Sequence, residues 1–280
     1  INRINFLPDP YCAIVTVTVN SNSTPAASAS ASSNPICAGN ATTLSVNGGS
    51  LGTGALWQWY SGGCGGVLQG NGTSLIVSPG ATTTYFVRAE GTCNVTSCVS
   101  ITITVNTLST DPASISATIN PLCSGNSTTL SVNGGSLGTG SAWQWYTGSC
   151  GGTFEATGSS IAVSPASTTT YFVRAEGTCN TTVCVSISIT VIPSPTANAG
   201  SGGTQCDLDF ILNAIPSIGT GTWTQSAGTG TSSFSNANDP NATVTVTAYG
   251  SYTLTWTENN SGCTSAGNVV VTFFQQPTAN

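Results

Sequence analysis

The chain has no histidine, no methionine and no lysine; three arginines and nine acids are all the charge it carries in 280 residues. Each absence closes a class of function. Without clustered Lys or Arg nothing neutralises phosphates, which argues against nucleic-acid partners and against electrostatic attachment to anionic membranes. Without His, neither a Ser-His-Asp nor a Cys-His arrangement can be built. Without Lys, Schiff-base and Ser-Lys chemistry are closed as well. No apolar run approaches the roughly 20 residues of a membrane helix, so membrane insertion is not expected. Arg3 is followed by no long apolar stretch before Pro8, so a signal peptide is not expected at this end. Apolar residues at three- and four-residue spacing, the mark of an amphipathic helix, are also missing.

What is there is mostly Ser, Thr, Gly, Asn, Ala and Val, with eleven cysteines. Many cysteines and no His point to disulfides rather than Cys/His zinc sites, and hence to an oxidising compartment, the extracellular space or cell surface. Val, Ile and Thr recur in alternating runs, whereas disordered chains carry few β-branched residues.

A repeat organises the chain. Shifting the sequence by 86 residues lays positions 35–105 onto 121–191 without a gap, and 51 of those 71 positions are identical. Cys37, Cys64, Cys93 and Cys98 fall on Cys123, Cys150, Cys179 and Cys184. Each unit reads as strands separated by Gly- and Asn-rich turns: "TTLSV" at Thr42, "LWQWY" at Leu56, "SLIVS" at Ser74, "TTYFVRAE" at Thr83 and "CVSITITV" at Cys98. With a first strand near Ala27–Ser33, each unit has six or seven strands, which predicts an all-β, immunoglobulin-like sandwich. Trp57 and Trp59 share one strand face and suit the core, with Tyr85, Val87 and Ala89 as the set expected to face them. A third, divergent unit keeps the plan, with Cys206 before "FILNA", Trp223 in "TGTWTQ", then "SYTLTWTE", Cys263 and "NVVVTFF".

The ends read as pieces of further units. Cys12–Asn20 aligns with the last strand of a repeat, and the closing "PTAN" matches the opening of unit three. The expected organisation is therefore 1–20 as the last strand of a preceding immunoglobulin-like domain, 21–106 and 107–192 as two repeats, 193–276 as a divergent domain, and 277–280 as the start of another. The whole would be a window on an extended tandem array.

The phrases "ICAGNATTLSVNGGSLGTG", "WQWYSGGCGG" and "SPGATTTYFVRAEGTCN" resemble the Ig-like and PKD-like repeats of very large secreted proteins of Bacteroidota. That resemblance implies a non-catalytic structural segment of a surface fibre, adhesin stalk or filament, exported by the type IX secretion system. Its implied partners are neighbouring domains of the same long chain or other copies of it. Two alternatives stand beside it. One is a carbohydrate-binding array on a secreted polysaccharide-degrading enzyme, with surface glycans as partners. The other is a self-assembling filament subunit that joins by strand addition.

Candidate sites are few. No catalytic residue and no cofactor site is assigned; Asp207 and Asp209 are the best carboxylate pair for glycoside-type chemistry. The same two acids, with Asp239, are the candidates for calcium, against the plainer expectation of a solvated turn. Arg88 with Glu90, and Arg174 with Glu176, read as same-face ion pairs on a strand. Tyr60 and Phe86 point away from the tryptophan face, where an exposed aromatic would stack on a sugar ring or pack against a neighbour.

The ends of the strands favour pairing Cys37–Cys64 and Cys93–Cys98, and by repetition Cys123–Cys150 and Cys179–Cys184, because linked Cα atoms lie within about 7 Å. Unit three keeps counterparts of Cys37 and Cys93 alone, Cys206 and Cys263. That pattern suits instead Cys37–Cys93 with Cys64–Cys98, or links between adjacent units. Cys206 and Cys263 are left without an assigned partner, and Cys12 is expected to pair outside the segment.

Overall fold

The computed structural model describes residues 16–277. Positions 12–15 of the strand expected over Cys12–Asn20, and positions 278–280 of the closing "PTAN", lie outside the described residues. The larger part of that expected strand, positions 16–20, is described and carries no strand. The chain divides into two compact units between Leu108 and Ser109.

The first unit is one sandwich of β1 (Ser28–Ala31), β2 (Ile36–Cys37), β3 (Thr42–Asn47), β4 (Leu56–Ser61), β5 (Val67–Asn71), β6 (Ser74–Val77), β7 (Thr83–Glu90), β8 (Val99–Ile103) and β9 (Val105–Asn106). Alternation writes the sheets: in β7, Tyr85, Val87 and Ala89 are buried while the residues between them are half-exposed, as period-2 side-chain geometry requires. One sheet runs β1-β3-β6 and the other β5-β4-β7-β8. The short β2 lies parallel to β9, with Ile36 opposite Val105 and Cys37 opposite Asn106.

Trp57 and Trp59 fill the core as expected, yet Val87 and Ala89 are not across the sandwich from them. They are cross-strand neighbours in the same sheet, Trp57 against Ala89 and Trp59 against Val87. The facing layer is Leu44 and Val77, with Val46 and Leu75 beside them. The Trp59 indole N–H donates to the Gly72 carbonyl at 3.0 Å, so the buried ring leaves no donor unpaired. The sequence reading lacks β5 and β2, because "VLQGN" is exposed along most of its length and two residues cannot show a period.

The second unit opens with a sandwich of the same design: β10 (Ser114–Ala117), β11 (Leu122–Cys123), β12 (Thr128–Asn133), β13 (Ala142–Thr147), β14 (Thr153–Thr157), β15 (Ser160–Val163), β16 (Thr169–Glu176), β17 (Val185–Ile189) and β18 (Val191–Ile192). Its third-module sandwich follows: β19 (Gly203–Gln205), β20 (Asp209–Ile211), β21 (Thr220–Ala227), β22 (Ser232–Phe234), β23 (Thr243–Val246), β24 (Gly250–Asn260) and β25 (Cys263–Phe273). Here β19-β25-β24-β21 packs on β20-β23-β22. The core is Trp223, Trp256, Tyr252, Phe273 and the aliphatics around them. Trp223 and Trp256 are directly opposed on β21 and β24. Gly221 lies so close to the Trp256 ring that a methyl group there would overlap it. The fold is thus all-β throughout the described residues, as tandem immunoglobulin-like sandwiches.

Candidate functional site

Two of the three arginines gather, each with a glutamate, in two copies of one cluster on the outer face of the four-stranded sheets. In the first module, Trp59 and Tyr60 are consecutive and both buried, Trp59 toward the core and Tyr60 on the opposite face. Tyr60 is buried because the Arg88 guanidinium lies 5.2 Å from its ring centroid and its hydroxyl donates to Glu90 Oε1. Arg88 Nε donates to the same oxygen at 2.7 Å, and Nη1 reaches to 3.7 Å from Cys64 Sγ.

The hydrogen bond from Tyr60 holds the Glu90 carboxyl below its ordinary pKa, with Arg88 acting the same way against burial. Burial first, then Glu90, pushes the Tyr60 hydroxyl up. The second module repeats the arrangement: Arg174 Nη2 is 2.6 Å from Glu176, 5.4 Å separates its guanidinium from the Tyr146 ring, and Tyr146 donates to Glu176 at 2.5 Å. The expected ion pairs are therefore present. The exposed sugar-stacking Tyr60 is not, since Arg88 covers it, and Phe86 is only half-exposed.

The acids of the third module do not gather. Asp207 precedes β20 and accepts from the Asp209 backbone N–H at 3.3 Å, closing a turn rather than presenting two carboxylates on one strand face. Both border a shallow depression with Phe210 and Ile211. Asp239 closes a separate turn by accepting from the Asn241 N–H at 2.9 Å. Among the described residues no three His, Cys, Asp or Glu side chains are grouped to hold a metal ion.

The carboxylate that sequence reading overlooked is Glu258. It is 1% exposed and accepts from the Ser217 N–H at 3.0 Å, the Ser217 hydroxyl, the Ile218 N–H at 3.4 Å and the Trp256 indole at 3.0 Å. Burial acts to raise its pKa, but these bonds together outweigh it and hold the group ionised below the ordinary value.

The cysteines pair differently from the end-of-strand expectation. Cys64 bonds Cys98, and Cys150 bonds Cys184, each with Cα atoms 5.9 Å apart; Cys123 bonds Cys263. The pairs Cys37–Cys64, Cys93–Cys98, Cys123–Cys150 and Cys179–Cys184 are thus replaced. The reason lies in two local paths. The turn after β4 folds back beside Arg88, bringing Cys64 to the start of β8. The short β2 and β11 run beside the last strand of their modules and carry Cys37 and Cys123 to the module's exit. Cys37 and Cys179 are also disulfide-bonded, whereas Cys93 and Cys206 are exposed free thiols.

The Cys123–Cys263 bond anchors a joint between the second and third modules. The Ser194 N–H donates to Ser124 Oγ at 2.8 Å, and its hydroxyl to the Ser124 carbonyl at 3.0 Å. Asn260 Nδ2 donates to the Pro193 carbonyl at 2.9 Å. The linker is therefore held by polar bonds on both sides as well as by the disulfide. At module entrances a second device recurs: Asn94 accepts from the Ser23 N–H and donates to the Ser23 carbonyl, both at 2.9 Å. Asn180 accepts from the Ser109 N–H and donates to its carbonyl at the same distance. The unchanged "GTCN" of both repeats was the available signal.

A family model described as "Ig-like domain CHU_C associated" matches residues 25–106 and 111–193. Among solved structures, the I-band fragment I67–I69 from titin is similar at 12% identity and a TM-score of 0.47, over 90% of this chain and 99% of that one. Sidekick-1 immunoglobulin domains 1–5 give 13% and 0.43, over 90% and 60%. The three N-terminal domains of the bacteriophage RB49 Highly Immunogenic Outer Capsid protein give 12% and 0.35, over 91% and 100%. At such scores the likeness leaves function untouched. No curated protein matches the chain.

Proposed function

The chain belongs to the CHU_C-associated Ig-like domain family, and from that premise we propose that it is a non-catalytic structural segment of an extracellular surface fibre, adhesin stalk or filament. The observation that carries this reading is the joint at Cys123 and Cys263, where one module is bonded covalently to the next. Such a bond gives a segment that transmits load or holds a tip at a fixed distance a joint that resists opening. Its charged residues support the same reading, because Arg88, Glu90 and Tyr60 satisfy one another. The carbohydrate-binding alternative loses its starting point with the covering of Tyr60. Export by the type IX system and display at the cell surface remain part of the proposal, resting on the family and on the disulfides.

Electron microscopy of the protein from its producing cells tests it. Beads about 40 Å apart along a rod, the length of a strand of roughly ten residues plus its turns, are the expected result. Saturable retention on a polysaccharide column, with no rod, would overturn it.

A further inference from the structure

Two cysteine positions alternate through the three modules. The first lies in or just after the short strand parallel to the module's last strand: Cys37 in β2, Cys123 in β11, and Cys206 directly after β19. The pairing confirms the equivalence. Leu122 and Cys123 stand opposite Val191 and Ile192 of the closing strand, and Thr204 and Gln205 stand opposite Thr272 and Phe273 of theirs. The second position lies at the hairpin between the last two long strands: Cys93, Cys179 and Cys263. Cys93 and Cys179 sit in the same turn, closed by Gly91 N–H to Asn94 O and by Gly177 N–H to Asn180 O, each at 3.1 Å.

In the second unit the two positions meet across a module boundary, since Cys123 bonds Cys263 of the following module. Cys37 and Cys179 are also disulfide-bonded. Among the described residues, the two thiols left over are not random. Cys93 is the hairpin position of the first module, and Cys206 is the exit position of the third.

We propose that Cys206 and Cys93 are the two open halves of further inter-module disulfides: Cys206 takes the hairpin cysteine of a following Ig-like module, and Cys93 takes the exit-strand cysteine of a preceding one. The partner chemistry is the same for both, a thiol carried by a module of this design. Its source is either a flanking module of the same long chain or a second copy, in which case Cys206 of one copy joins Cys93 of the next. In the bond-forming step one thiolate attacks a disulfide oxidant, such as an oxidised dithiol oxidoreductase or glutathione disulfide, and expels one thiol. The second cysteine's thiolate then displaces the other thiol from the mixed disulfide. Two cysteines lose two protons and two electrons, and the oxidant leaves as two thiols. The result is a covalent chain from module to module that runs alongside the peptide linkers. Exposed thiols are otherwise a liability in an oxidising compartment.

Disulfide mapping of the protein harvested from its producing cells tests it. Free thiols are blocked with N-ethylmaleimide at harvest, and digestion uses pepsin, because three arginines and no lysine leave trypsin few sites. The expected product is a Cys206 peptide joined to a hairpin-cysteine peptide. If that peptide is the one holding Cys93, the partner is a second copy; if it lies outside these 280 residues, the partner is a flanking module. Cys206 carrying maleimide or a small-thiol cap, while Cys123–Cys263 is intact, would overturn the proposal. A Cys206→Ser variant should lose the Cys206 joint while its modules melt unchanged and, where the partner is a flanking module, should keep Cys93 joined. Cys93 carrying maleimide in the unsubstituted protein would overturn the proposal too.

Discussion

Cys123 and Cys263 stand 140 residues apart in sequence and 5.6 Å apart at their Cα atoms. The loop this bond closes includes most of the second module and most of the third, so it joins two cores that would otherwise be tied by a short linker alone. Cross-links over long loops restrict the unfolded chain most, typically by about 2–4 kcal/mol. Replacing both residues by Ser should therefore lower the melting temperature of the third module and separate its transition from that of the second in a calorimetric scan. Replacing Cys64 and Cys98 by Ser should shift the first module and leave those two transitions in place. A single shared shift from either pair of substitutions would contradict this division.

Glu258 is a buried carboxylate of the third module with every bond to it made by a neutral donor. The variant Glu258→Gln keeps the shape but removes the charge that three N–H groups and a hydroxyl donate to. Hydrogen bonds to a charged acceptor are worth about 1.5–3 kcal/mol each at most, and unsatisfied donors add to the loss. A destabilisation of about 2–4 kcal/mol is expected in urea, followed by Trp223 and Trp256 fluorescence, with the first module unchanged.

Asn94 holds the entrance of the first module through a reciprocal pair of bonds to the Ser23 backbone. Asn94→Ala should cost about 1–3 kcal/mol, the range for leaving such groups unpaired. It should also speed amide hydrogen exchange at Ser23. Asn94→Asp keeps the acceptor and loses the donor, so its effect should fall between the two. Equal exchange in all three proteins would show that the clamp is not what fixes this segment.

Gly221 offers a test of core packing. A methyl group at this position meets the Trp256 ring, which Trp223 opposes from the neighbouring strand and which therefore has little room to move. Gly221→Ala should destabilise the third module by about 1–3 kcal/mol through overpacking, and should change the near-ultraviolet circular dichroism of the paired indoles. An unchanged spectrum would mean that the strand shifts instead of the ring.

Much of this fold is written in the sequence, and the parts that are not share a cause. Thr83–Glu90 and Thr42–Asn47 alternate cleanly, so their strands match the sequence reading to within a residue. The cores of both repeats follow from Trp57, Trp59 and their copies, because large apolar residues on one face must be covered. The two-residue strands β2 and β11 carry no period, yet they decide where Cys37 and Cys123 lie and hence the pairing. Strand ends alone place Cys37 near Cys64. Only the parallel contact of β2 with the closing strand takes it away. Tyr60 does lie on the face away from the tryptophans, but alternation gives only that face and not what the next strand lays over it. It is Arg88 covering the ring that decides between sugar stacking and packing against a neighbour. The loss of two cysteines in unit three suited either Cys37–Cys93 with Cys64–Cys98 or links between adjacent units. The structure takes one part of each: Cys64 bonds Cys98, and Cys123 bonds Cys263 of the next module.

The absent residues return as a prediction about pH. Glu90, Glu176 and Glu258 all have folded pKa values below 4.5, their ordinary value. A depressed carboxylate binds fewer protons folded than unfolded, so its stabilisation is complete above pH 4.5 and is lost as pH falls through the folded pKa. Tyr60, Tyr85, Tyr146 and Tyr171 have values raised above 10.0. Their contribution is complete below pH 10.0 and is lost as pH rises through the folded values. Between these limits there is no histidine to titrate. Stability measured by urea midpoint should therefore be nearly level from about pH 5 to pH 9, falling at both ends. The doubly substituted Glu90→Gln, Glu176→Gln protein should lose the acid-side fall of the two repeats while the third module keeps its own. A slope across neutral pH would show that the clusters around Tyr60 and Glu258 do not control the titration.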